Sequence, residues 1–118
     1  MKFAVISGSF FALLTVVLGA FGAHALKDYL SDYSKTIYDK AIFYQMFHSL
    51  GLILLGILSN LTNQDFFYSS LFLILGIILF SGSLYLLAIT NIKLLGAITP
   101  VGGLFFIIGW VILIKNVI

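Results

Sequence analysis

Five polar side chains, His24, Tyr38, Tyr44, Gln45 and His48, stand out in a chain that is otherwise mostly apolar. Histidine changes charge near neutral pH and handles protons at two ring nitrogens. Two histidines beside two phenols and an amide would therefore suit a proton relay or a polar ligand site. Ala41, Tyr44, Gln45 and His48 recur at three- and four-residue spacing, which puts them on one face of a helix. On an antiparallel helix pair, His24 and His48 would lie at similar depth, and Tyr38, Tyr44 and Gln45 would complete one hydrogen-bonded cluster. The same groups would also lock helices together by hydrogen bonding across them, the ordinary use of polar residues in lipid. The packing role is the expectation here.

Other chemistries find fewer footholds. The chain has no Cys, which removes disulfides, thiolate metal sites and a thiol nucleophile. Two His with only Asp28, Asp32 and Asp39 nearby fall short of a closed zinc shell, so no metal is expected. Ser81 and Ser83 in FSGS do not form a nucleophile elbow. The 11 glycines sit inside apolar runs, without the Lys-Ser/Thr pair of a phosphate loop. Neither an enzyme nor a bound cofactor is expected. A formal charge of +2 is too thin and scattered for a nucleic-acid footprint.

The elements that must position these residues are membrane helices. Of the 118 residues, 62% are hydrophobic and 8% charged, and mean hydropathy is +1.20. Soluble domains carry about 25% charged residues, and a fold this small could not hide so much apolar surface from water. Four apolar runs, at about 3–25, 41–61, 66–89 and 94–114, each approach the roughly 20 residues of a membrane-crossing helix. Barrel strands would instead show short stretches of alternating polarity. The fold expected is an all-α membrane protein with four transmembrane helices in an antiparallel bundle, one integral membrane domain over 1–118. Within KDYLSDYSKTIYDK (27–40), Tyr29, Leu30, Tyr33 and Ile37 recur at helical spacing, which predicts a short interfacial helix between the first two spans. NLTNQ (60–64) and NIK (91–93) read as tight connections.

Small residues mark the packing faces. Lys2, an apolar run and Ala23-His24-Ala25 imitate a secretory signal and its cleavage site. Yet the run is longer than the roughly 7–15 residues of a signal core. It also carries Gly8, Ala12, Thr15, Gly19 and Gly22 in a stripe suited to close helix approach, so the first helix is expected to be retained. Gly76, Ser83 and Thr90 form a comparable face on the third span, and Gly96, Gly102, Gly103 and Gly109 on the fourth. Thr99-Pro100 either starts a helix, Thr as N-cap and Pro at the first helical position, or kinks one begun near Leu94. An irregular TPVGG would also suit the broken helix of a transporter, but packing is the expectation. Lys27, Lys35, Lys40 and Lys93 fall on one side of the membrane, and Lys2 and Lys115 on the other. The positive-inside rule then predicts residues 27–40 in the cytoplasm and both termini outside.

Four stretches together, GAFGAHAL (19–26), YQMFHSL (44–50), LFSGSLYLL (79–87) and GAITPVGGLFFIIGW (96–110), carry a family resemblance. In this order and spacing, from about Gly8 to Trp110, the chain resembles the small bacterial inner-membrane family known as domain of unknown function 423, or UPF0382. The resemblance implies a four-helix protein of the bacterial plasma membrane, with small relatives in eukaryotes. It assigns no catalytic residue. The lipid bilayer is the first expected partner, and a homo-oligomer or larger membrane complex the second. A structural or accessory protein acting through helix contacts is expected. The competing reading is a minimal transporter or proton-conducting protein built on His24 and His48, disfavoured because no carboxylate is embedded in a span.

Overall fold

The computed structural model describes residues Met1–Ile118. Four helices are long and apolar enough to cross a bilayer: α1 (Lys2–His24), α2 (Asp32–Thr62), α3 (Phe67–Thr90) and α4 (Lys93–Val117). Helices are the necessary solution for such runs, because in hydrocarbon every backbone amide must find its partner within the segment. α3 widens into a single π turn at Ile77–Ser81. α4 opens as a 3-10 turn over Lys93–Ala97 and turns α-helical at Thr99. Asn63 and Asn91 end α2 and α3 in the left-handed region, at φ 55° and 58°. Asparagine tolerates that conformation, so NLTNQ and NIK turn tightly.

The 27–40 segment differs from the sequence expectation: no separate interfacial helix forms. Ala25–Leu30 make turns, and the Ser31 hydroxyl caps α2 by accepting from the Ser34 N–H at 3.1 Å. Residues 32–40 are simply the opening turns of α2. No Gly or Pro interrupts the chain between Asp32 and Leu50, and once nucleated a helix continues until something stops it. α2 therefore reaches 31 residues, or about 46 Å at the α-helical rise. That exceeds the roughly 30 Å hydrocarbon core, so its first turns project beyond it.

The bundle is flat, 48 × 26 × 16 Å. α1 packs along α2, α2 on α3, and α3 on α4, so α2 and α3 form the middle and α1 and α4 are the least buried. Two apolar clusters make the core. One, around Leu30, Ile37, Ala41 and Leu84, sits at the end bearing the 25–31 turns. The other, around Leu52, Leu55, Leu73 and Phe106, fills the far half.

Candidate functional site

A polar belt crosses the bundle between these clusters. Gln45 is its centre, buried on α2. Its Nε2 donates to the Phe11 carbonyl of α1 at 2.9 Å, and its Oε1 accepts from the Tyr85 hydroxyl of α3 at 2.7 Å. One amide thus joins three helices. Its orientation is fixed by its partners, because a carbonyl needs a donor and this phenol, with no other acceptor recorded, supplies one. Tyr38 donates to the Leu18 carbonyl at 2.5 Å, and its ring meets that of Tyr85 edge-on, centroids 5.1 Å apart. Ser81, at the end of the π turn, donates to the Ala41 carbonyl at 2.8 Å. The π turn gives the chain the extra residue that aims Ser81 at α2.

His48 makes a second, aromatic site with α4. The Trp110 indole N–H donates to its Nε2 at 3.1 Å, and its Nδ1 lies 2.8 Å from the Tyr44 carbonyl. Indole is only a donor, so Nε2 is the acceptor, and the ring proton sits on Nδ1, donating to Tyr44. The geometry therefore selects a neutral imidazole with both nitrogens engaged. The ring lies flat on Phe106, centroids 3.5 Å apart and planes within 6°. Tyr44 faces outward and packs on Phe80 at 4.5 Å; its ring stacks loosely beside His48 at 6.2 Å, and its carbonyl, not its hydroxyl, makes the hydrogen bond. α2 and α4 both pack on α3 and touch each other at His48, leaving beside that contact an open cleft of about 700 Å³ whose lining includes Tyr44, His48, Phe80 and Trp110.

His24 stands apart. Gly8 faces Ser49 and Leu52 across the α1–α2 contact, and Gly22 faces Tyr38, a register that sets His24 level with the opening turns of α2. Twelve residues of helix, about 18 Å, separate that level from His48. The expectation that the histidines share a depth is corrected: α2 begins at Asp32, so a short turn returns the chain beside His24 well before His48 is reached. His24 is exposed at the end of α1. Nowhere do three or more His, Cys, Asp or Glu side chains gather as a metal shell would require.

The small residues divide in two. A Cβ at Gly8 would overlap the Ser49 carbonyl, at Gly22 the Tyr38 ring and at Gly76 the Phe106 ring. At Gly102 it would meet the Phe80 backbone and at Gly109 the Leu73 side chain. Gly19, Gly96 and Gly103 have only ordinary contacts, and Ala12 is half-buried. Ser83 and Thr99 share a hydrogen bond of 2.6 Å across α3 and α4. Since Ser83 donates to the Phe80 carbonyl, Thr99 is the donor between them. Thr99 therefore ties two helices and caps neither, while Pro100 occupies the first turn of the α-helical part of α4.

Sequence reasoning missed Tyr85, Ser81 and Trp110 as partners, and Gly51 and Gly56 as close contacts, against Trp110 and Val5 respectively. A lone Trp and an isolated Tyr in apolar runs did signal groups in need of acceptors. Their partners lie 62 and 40 residues away, where no local spacing points.

Four apolar helices closed around an internally paired polar belt define a small multi-pass integral membrane protein. Residues 18–103 match the family described as "Protein of unknown function (DUF423)", and the chain belongs to that family. It is 49% identical over 114 residues to a UPF0382 membrane protein of Staphylococcus haemolyticus, covering 97% of this chain and 93% of the relative. A UPF0382 membrane protein of Staphylococcus epidermidis matches at the same identity and coverage. One of Staphylococcus aureus is 46% identical over the same shares of both chains. No solved structure matches the chain.

Proposed function

We propose that this is a non-catalytic accessory protein of the bacterial plasma membrane, acting through helix contacts with copies of itself or with a larger membrane complex. Its termini face outward. One observation carries the reading: the polar groups at mid-span are consumed by one another. Gln45 bonds at both ends of its amide, and His48 uses both ring nitrogens. All four Asp lie in connections or in the projecting turns of α2. A proton pathway needs groups that can exchange partners, and these are committed to holding α1, α2, α3 and α4 together. Meanwhile α1 and α4 turn large apolar side chains outward, among them Phe10, Leu13 and Val17 on α1.

The transporter alternative joined His24 and His48 as one relay, and their separation along α2 supports the accessory reading over it. The test is reconstitution into liposomes beside affinity capture from native membranes in mild detergent. The expected result is no proton or solute flux above empty liposomes, with self-association or a constant co-purifying protein that Leu13→Lys on α1 disrupts. Flux that His48→Ala abolishes without unfolding the protein would replace this reading with the transporter.

A further inference from the structure

The cleft between α2 and α4 continues beyond its aromatic pocket. Toward the end bearing the 25–31 turns it opens into a second stretch of about 530 Å³, which shares Tyr44, Phe80 and Pro100 with the first and reaches Thr36 and Lys40. A third stretch, about 470 Å³, shares Tyr33, Leu87 and Gly96 with the second and ends at Asn91 and Lys93. Lys40 and Lys93 are the only formally charged residues in all three linings. Asp39, the neighbour of Lys40, lines a different pocket, beside Lys27 and Lys35.

The cleft is thus amphipathic along its length, with two cations and hydroxyl groups at its mouth and aromatic rings at its deep end. From Thr36 to His48, α2 rises twelve residues, about 18 Å. One leaflet of hydrocarbon is about 15 Å thick, half of the roughly 30 Å core. The cleft is therefore long enough to run from headgroup depth to the bilayer midplane. We infer that it binds one anionic membrane phospholipid, its phosphate against Lys40 and Lys93 and one acyl chain laid along Tyr44, Phe80 and Phe106 to Trp110. Charge complementarity selects this occupant: basic pockets between membrane helices hold anionic headgroups, and no carboxylate lines the cleft to compete for the lysines. The inference is independent of the accessory role proposed above.

Trp110, the only tryptophan, reports from the deep end. The full chain is reconstituted in phosphatidylcholine vesicles containing a minor fraction of phosphatidylglycerol, with bromine toward the acyl-chain ends of either lipid in turn. At equal mole fraction, brominated phosphatidylglycerol should quench Trp110 with an apparent association about 25-fold higher than brominated phosphatidylcholine, the product of two lysines at roughly 1 kcal/mol each. Lys40→Gln and Lys93→Gln should each lower that preference about fivefold, the equivalent of the roughly 1 kcal/mol a lysine gains near an anionic membrane surface. The double variant should show no preference, and Lys27→Gln/Lys35→Gln should keep it, with helicity by circular dichroism confirming that every variant folds. Equal quenching by both lipids would overturn the inference, as would a preference that survives Lys40→Gln/Lys93→Gln or vanishes with Lys27→Gln/Lys35→Gln. Absence of quenching by either lipid would overturn it too, because the cleft would then be covered by protein.

Discussion

Gln45→Leu keeps side-chain bulk nearly constant and removes two interhelical hydrogen bonds, to Phe11 and Tyr85. Such bonds are worth about 0.6 kcal/mol each on average and up to roughly 1.7, so the variant should lose about 1–3 kcal/mol. The two ends are unequal. The Phe11 carbonyl still accepts from the Thr15 hydroxyl at 2.7 Å, whereas the Tyr85 hydroxyl loses its only recorded acceptor. Most of the loss should therefore arise at Tyr85. Tyr85→Phe removes the same bond from the other side and strands the Gln45 Oε1, costing about 0.6–1.7 kcal/mol. Because both single variants count this bond, the double variant should lose less than their sum by about 0.6 kcal/mol or more. Reversible unfolding in mixed micelles by titration with sodium dodecyl sulfate, followed by helical circular dichroism, measures all four corners of the cycle. Additivity within about 0.3 kcal/mol would refute the claim that this amide couples α2 to α3.

Gly102→Ala should destabilise by about 1–3 kcal/mol through overpacking on the Phe80 backbone. Gly103→Ala, with only ordinary contacts, should be neutral or stabilising; equal losses in thermal unfolding would contradict the α3–α4 register. His48→Ala should lower stability, losing the Trp110 bond and the Phe106 stack, whereas His24→Ala should leave it unchanged. The two effects should add, as they do for distant sites, and a measurable coupling would mean the histidines meet. An impermeant thiol reagent applied to intact cells should label Asn116→Cys and not Ser31→Cys, and the opposite pattern would invert the topology. Intact mass of the membrane-extracted protein should include Met1–Ala25, while a dominant species beginning at Leu26 would restore the signal-peptide reading.

Fold class was legible in the sequence because burial in lipid is decided locally. A run such as Phe66 to Ile89 must become a helix wherever its neighbours lie, since its backbone has no other hydrogen-bond partners in hydrocarbon. The tight connections were legible for a similar reason: NLTNQ and NIK are polar interruptions too short for anything else, whereas the left-handed conformation of Asn63 and Asn91 came from the structure. The extension of α2 was less so, because tyrosines at helical spacing fit an interfacial helix and a projecting transmembrane helix equally well. What separates them is the Ser31 cap and the direction in which the helix continues.

The site itself was decided by tertiary structure. Gln45 and His48 were marked as groups needing partners by their polarity in an apolar run, and the sequence could say no more than that. Tyr85 and Trp110 become those partners only because α3 and α4 pack in one register, set where Gly76 admits the Phe106 ring and Gly102 admits the Phe80 backbone. The π turn that aims Ser81 at Ala41 has no mark of its own in LFSGSLYLL. Apolar content is additive along the chain, so sequence alone determined that four helices enter the membrane. Hydrogen-bond pairing depends on distances of a few tenths of an ångström between remote segments, so only the packed bundle could separate His24 from His48 and join His48 to Trp110.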